Sequence, residues 1–173
     1  MLTGIVLLLL MTAGAVLFII LECRRKQEEK KMYAAAQRIM KEEYLDQAIR
    51  RENGEQYSEI GEIKTMLCLG VQGTKNAYVF DPAYPVTIGR SPQENKLCLK
   101  DSAISAKHCL LQLVQGKLWV TDEGSSNGTG VRHGKSWFWV ESGQSAPLQS
   151  GDVLCIGSVS IKVVLFYYNT TLL

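Results

Sequence analysis

The sequence predicts an all-β sandwich carried behind an N-terminal transmembrane helix and a charged helical stalk. Three observations predict it. The first 21 residues hold no charged side chain. Residues 22 to about 52 are rich in Glu, Lys, Arg, Gln and Ala and contain no Gly until Gly54. From about residue 60, short apolar runs alternate with Gly, Pro, Asn, Asp and Ser. The chain of 173 residues therefore divides into an anchor over 1–21, a juxtamembrane charged helix or linker over 22–59 and a β domain over 60–173.

The opening run, "MLTGIVLLLLMTAGAVLFIIL", has the length a helix needs to cross a bilayer core, roughly 20 apolar residues. Arg24, Arg25, Lys26, Lys30 and Lys31 follow it directly. Basic flanks stay on the cytoplasmic face. The expected protein is a single-pass cell-membrane protein, N-terminus outside and β domain in the cytoplasm. A cleaved leader would want a basic start and small residues at the cut; "FIILEC" offers none, and Glu22 disfavours lipoprotein processing before Cys23.

The next segment favours helix by composition. Met32, Ala36, Ile39 and Met40 form one modest apolar stripe, extended weakly by Ala48 and Ile49. It is too short and irregular for a coiled coil. A stalk holding the next domain off the membrane is the expectation, with pairing to a partner helix as the alternative. Asn53-Gly54 supplies a stop signal.

Beyond residue 60 the strand-like runs are 63–71, 77–80, 85–89, 96–99, 108–114, 117–122, 136–141, 153–157 and 159–168. Short runs at this spacing read as a sandwich or barrel. In "KLWVT", Leu118 and Val120 share one face and Trp119 takes the other. No helix-period segment interrupts the series, which argues against a parallel α/β sheet.

Charge excludes a nucleic-acid role. Residues 60–173 carry ten Lys and Arg against eight Asp and Glu, with no basic excess. The five cysteines, Cys23, Cys68, Cys98, Cys109 and Cys155, form no C-x-x-C pair, so neither zinc nor a redox motif is signalled. The last four sit in strand-like contexts and read as buried small hydrophobes. No cofactor and no metal is expected. The sequons at Asn127 and Asn169 matter only outside a eukaryotic cell, which the topology argues against.

Three polar loop segments carry the chemistry: Gly89-Arg90, Ser105-Ala106-Lys107-His108 and Ser125-Ser126-Asn127-Gly128-Thr129. Loops of an antiparallel sandwich gather at its ends. One Arg, several hydroxyls, an amide and backbone N–H groups gathered there suit a phosphate. Arg offers a planar fork that matches phosphate oxygens, and a phosphorylated side chain carries about −1.5 to −2 charges at pH 7.

Gly-Arg, then about fifteen residues to Ser-x-x-His, then about twenty to Ser-Asn-Gly-Thr, resembles the forkhead-associated (FHA) domain. "VTIGRSPQENKLCLKDSAISAKH", "WVTDEGSSNGTGV" and "LQSGDVLCIGSVSIKV" extend the resemblance over roughly residues 65–166. The resemblance implies a β-sandwich of about eleven strands that binds phosphothreonine peptides through its loops. It implies that Arg90 contacts the phosphate and that Ser105 donates its hydroxyl to it. Ser126 would lie near the phosphothreonine and Asn127 would hydrogen-bond the peptide backbone. Ala106 and Lys107 complete the expected binding set. Gly89, His108, Gly128 and Thr129 would be structural, His108 bracing the loops. Two departures stand out. Ala106 replaces a position that often carries a ligand-holding side chain. The run 130–134, Gly-Val-Arg-His-Gly, replaces a bulky residue and an Asn-Gly turn, with Arg132 and His133 read as solvated turn residues.

The leading function is a membrane-tethered phosphothreonine reader. It would recruit a threonine-phosphorylated protein, a substrate of a Ser/Thr kinase or such a kinase itself, to the cytoplasmic membrane face. The alternative is a phosphorylation-independent scaffold subunit of a membrane-bound assembly. Ser105, His108 and Asp101 superficially suggest a hydrolase triad, but no G-x-S-x-G, P-loop or H-E-x-x-H accompanies them. No enzymatic activity is expected.

Overall fold

In the computed structural model the described residues are 2–52 and 63–169, with backbone alone for 2–6, 8 and 44–52. The expected linker 53–59 lies outside them. A single helix, α1 (Leu2–Glu52), precedes eleven strands. These are β1 (Ile63–Val71), β2 (Ala77–Phe80), β3 (Val86–Gly89), β4 (Leu97–Cys98), β5 (Cys109–Val114), β6 (Lys117–Asp122), β7 (Thr129–His133), β8 (Ser136–Val140), β9 (Ser145–Leu148), β10 (Val153–Ile156) and β11 (Val159–Asn169).

The strands form two sheets. One runs β2-β1-β11-β10-β7-β8 and the other β4-β3-β5-β6-β9. Alternation drives this layering, because successive side chains of a strand face opposite sides. In β6, Leu118, Val120 and Asp122 are buried while the residues between them are not. Leu67, Leu69, Val131, Leu154, Ile161 and Val163 of the larger sheet meet Val86, Ile88, Leu111, Leu118, Val120 and Leu148 of the smaller. Cys109 lies wholly within this core, and burial pushes its thiol pKa up. Cys68 is buried too, whereas Cys98 and Cys155 are only half-buried, because both fall on outward or sheet-end positions.

Residues 129–133 are a strand rather than the turn the sequence suggests. Val131 faces the core and pairs with Leu154, and the turn proper is Gly134-Lys135. Trp137 explains how the missing bulky residue is replaced. A Cβ built at Gly130 would lie 2.4 Å from the Trp137 ring, so the indole of the neighbouring strand fills the space over β7. β9, "SAPL", is the other strand missed; its Pro147 is tolerated because β9 is a sheet edge.

The segment 22–52 is not a free stalk. Ala36 and Met40 are buried against Met66 of β1 and Tyr168 of β11, with Ile39, Val79 and Phe166 at the margin. Tyr33 meets Phe166 edge-on at 5.6 Å. The apolar stripe is thus used on the chain's own sandwich rather than on a partner helix. Lys64 donates to both Glu43 carboxylate oxygens at 3.0 and 2.9 Å and lies 3.6 Å from Asp81. Burial works to lower the Lys64 pKa; the hydrogen bond and charge of Glu43, with Asp81, outweigh it and hold it above the ordinary value.

Among the described residues no helix is long and apolar enough to cross a membrane. Met1 and the side chains of 2–6 and Leu8, a third of the expected anchor, lie outside the described set.

Met40→Ala removes a buried side chain at the α1–sheet contact and lowers stability by about 2–5 kcal/mol. Urea unfolding of the full chain, followed by Trp emission, reads the shift. An unchanged midpoint would mean that the helix is not part of the folded unit.

Candidate functional site

The three polar loops meet at one end of the sandwich. Gly89 ends β3, and a Cβ there would lie 2.3 Å from the Ala106 carbonyl oxygen. Only the absence of a side chain lets loop 101–107 close over this strand. The closure is held by backbone. The Arg90 N–H donates to Ser105 O at 2.9 Å, and the Ser91 N–H to Ala106 O at 3.1 Å. The Asn95 amide nitrogen donates to Ser91 O and Ala106 O at 2.7 and 2.6 Å.

Arg90 is exposed, but its side chain is not adrift. Its Nε donates to Ile104 O at 3.1 Å, which lays the guanidinium along the second loop. Among the described residues no carboxylate pairs with it. Its terminal nitrogens are therefore available to an anion. Lys107 differs: its Nζ lies 3.6 Å from Glu94, so its charge is directed to the β3–β4 connection. Ala106 presents an exposed methyl and a carbonyl that is tied to the same connection.

Ser105 joins the second loop to the third. Its Oγ accepts the Ser126 N–H at 3.0 Å and lies 3.4 Å from Ser126 Oγ. Asn127 Nδ2 donates to Ala103 O at 2.8 Å, leaving its carbonyl oxygen and second N–H for other partners. Arg90, Ser105, Ser126 and Asn127 are thus brought together on one edge.

His108, fully buried, sits beneath them. Its Nδ1 accepts the Ser105 N–H at 3.2 Å, and its Nε2 faces Gly128 O at 3.1 Å. An accepting Nδ1 carries no proton, so the proton is on Nε2 and donates to Gly128 O. Neither ring nitrogen is aimed at Ser105 Oγ. Asp101 meanwhile accepts from Ser158 Oγ and, at 2.8 Å, from the Ala103 N–H. The Ser105–His108–Asp101 triad does not assemble.

Asp122, unremarked in the sequence, organises the third loop. It is 1% exposed. Its Oδ1 accepts the N–H groups of Gly124 and Ser125 at 3.0 and 2.9 Å. Its Oδ2 accepts Ser125 Oγ and Thr129 Oγ1, both at 2.6 Å. Burial works to raise its pKa, but these hydrogen bonds outweigh it and hold the carboxyl below the ordinary carboxylate value. Gly128 adopts φ +75°, a conformation a side chain would strain, against the Trp139 ring. His133, read as a solvated turn residue, instead bonds buried Asp152 at 2.6 Å from β7.

Residues 86–157 match the family described as the FHA domain. A curated relative, an FHA domain-containing protein of Arabidopsis thaliana, is 30% identical over 91 residues, 53% of this chain and 22% of that protein. The chain therefore spans about a fifth of the length of that relative. The solution structure of the FHA domain of an Arabidopsis thaliana hypothetical protein superposes with TM-score 0.54 at 26% identity, covering 66% of this chain and 94% of the other. The N-terminal FHA domain of Saccharomyces cerevisiae Rad53p, solved with a phosphothreonine peptide, superposes with TM-score 0.51 at 20% identity, covering 58% and 94%. At that identity the likeness is one of fold.

The Asp122 carboxylate sets an acid limb. Its folded pKa lies below the unfolded value of about 3.9, so its contribution is complete above that value and is lost as pH falls through the folded pKa. Asp122→Asn replaces an acceptor-only group and lowers stability by about 1–3 kcal/mol at neutral pH. It also flattens the decline between about pH 5 and the folded pKa. Chemical unfolding across pH measures both effects.

Proposed function

We propose, on the premise that this chain contains an FHA domain over 86–157, that the domain is a non-catalytic phosphothreonine-peptide binding module tethered to a membrane. One observation carries the binding reading: the Arg90 guanidinium, without a carboxylate partner among the described residues, is held by Ile104 O beside Ser105 and Ser126 hydroxyls that already touch. Arg90 takes the phosphate, Ser105 and Ser126 supply neutral donors, and Asn127 takes the peptide backbone. Ala106 contributes no side-chain donor and Lys107 stands off on Glu94, so the pocket relies on few groups. Two or three charge-assisted hydrogen bonds of about 1.5–3 kcal/mol each, less ordering costs, suit roughly micromolar affinity. The Rad53p domain, similar in fold, was solved with such a peptide, which supports the same ligand class here. The partner is a threonine-phosphorylated protein.

The tether reading rests on the helix. Leu7, Leu9, Leu10, Met11 and Val16 to Leu21 are all exposed. With residues 1–6 the uncharged run reaches 21 residues, about 31 Å of helix, the thickness of a hydrocarbon core. The described part alone falls short of that length. Arg24, Arg25 and Lys26 follow the run directly, which favours a cytoplasmic sandwich on this reading.

Arg90→Ala weakens binding of a phosphothreonine peptide about ten- to a hundredfold, the equivalent of about 1.5–3 kcal/mol, without moving the thermal midpoint. Calorimetry with phosphorylated and unphosphorylated peptide measures it. Equal affinity for variant and wild type refutes the site. Partners captured equally well after phosphatase treatment would support the phosphorylation-independent scaffold instead.

A further inference from the structure

The outer face of the larger sheet carries an aromatic ledge that begins at the third loop. Opposed residues of antiparallel strands share a face. One row across β11, β10, β7 and β8 is therefore Ser160, Cys155, Gly130 and Trp139. The next row, about 7 Å further from the loop, is Lys162, Val153, Arg132 and Trp137. Both indoles lie down on glycine. A Cβ built at Gly128 would stand 3.3 Å from the Trp139 ring, and one at Gly130 would stand 2.4 Å from the Trp137 ring. The rings meet edge to face with centroids 5.4 Å apart. Their other faces are open: Trp137 is 46% and Trp139 58% exposed. Helix α1 covers this side of the sheet elsewhere, at Met66, Phe166 and Tyr168.

Gly128 joins this ledge to the loop that carries Ser126 and Asn127. Its carbonyl faces His108 Nε2 at 3.1 Å, and its Cα side is closed by Trp139. The indole thus rests on the residue next to Asn127, within reach of about two or three extended residues from the peptide group that Asn127 would hold. A chain continuing over the sheet meets Trp139 first, then Trp137, with Arg132 and Lys162 in the same row. Both cations are exposed, and among the described residues no carboxylate pairs with either. Sheet edges are usually blunted with charge rather than left aromatic. Rings already fixed against glycine backbone lose little freedom when a ligand covers them. Flat aromatic faces followed by free positive charge suit an apolar or aromatic side chain followed by an acidic one.

We propose that Trp139 and Trp137 receive the segment of the ligand that flanks the phosphothreonine, seating an aromatic or large apolar side chain on the indoles and an acidic one beside Arg132. This rests on the phosphothreonine reading above and gives the flanking sequence that the site selects. The tether plays no part in it.

The test uses the full chain and an array of phosphothreonine peptides built of Ala, Ser and Gly, in which a single Phe is walked through each position on either side. The readout is the ratio of affinities for the Phe-bearing and the plain peptide, because a loosened loop lowers both alike. On one side of the phosphothreonine, one position or two neighbouring ones are expected to raise affinity about tenfold. Trp139→Ala and Trp137→Ala together abolish that gain, and Trp139→Phe, which keeps a ring on Gly128, retains part of it. A Glu placed beyond the best Phe adds about threefold, which Arg132→Gln removes. In the Trp119→Phe chain, which has only these two indoles, emission shifts with the Phe-bearing peptide and not with the plain one. Peptides that bind with no positional gain, or with a gain that survives the tryptophan variants, overturn the ledge and leave the phosphothreonine site standing. An emission shift that appears on raising protein concentration without peptide assigns the rings to a second copy and overturns it as well. A folded chain that binds no phosphorylated peptide of the array overturns the phosphothreonine reading and, with it, the ledge.

Discussion

The loop end of the sandwich depends on one buried imidazole. His108 accepts from the Ser105 N–H and faces the Gly128 carbonyl with its other nitrogen. It therefore spans the two loops that carry Ser105, Ser126 and Asn127. A ring with an acceptor on one side and a donor on the other fits this place; a purely apolar residue would remove the partner of both half-buried backbone groups. Asp122 supports the same loop from beneath by taking two N–H groups and two hydroxyls. The exposed groups are thus positioned by buried ones, and an anion can meet them without first ordering the loops.

Sequence legibility followed the physics of each element. β1, β2 and β6 could be read to the residue, because their apolar periodicity is undiluted. β7 and β9 could not: "TGVRH" opens on small and polar residues, and "SAPL" contains a proline. Their strand character comes from neighbours, β10 and β8 for one and β6 for the other. The stripe Ala36–Met40 was visible, but its counter-surface, Met66 and Tyr168, lies far along the chain. A helix that ends on a sheet looks, in sequence, like a helix that ends on nothing.

The site divides in the same way. Arg90, Ser105, Ser126 and Asn127 stood out by order and spacing. Asp122 and Asn95 did not, because each looks like an ordinary polar loop residue until the loops are brought together. "DEGS" did hold a local signal, since an aspartate before glycine and serine often caps its own turn. The role of Lys107 was beyond sequence reasoning, as Glu94 reaches it only across a fold-made gap.

On the proposed reading, docking of α1 changes what a pocket with few side-chain donors can achieve. A sandwich on a loose stalk would sample many orientations, and Ala106 offers no side chain to compensate with tighter binding. Here Ala36, Met40 and the Lys64–Glu43–Asp81 cluster hold helix and sandwich in one arrangement. On the proposed reading, the apolar end of that helix confines the module to a membrane. A partner confined to the same membrane meets it at a raised effective concentration, which can outweigh a tenfold loss of intrinsic affinity. Orientation matters for that gain, because geometry that forbids engagement removes it altogether. The rigid contact between α1 and the sheet, rather than any extra group in the pocket, is then what lets few phosphate ligands suffice.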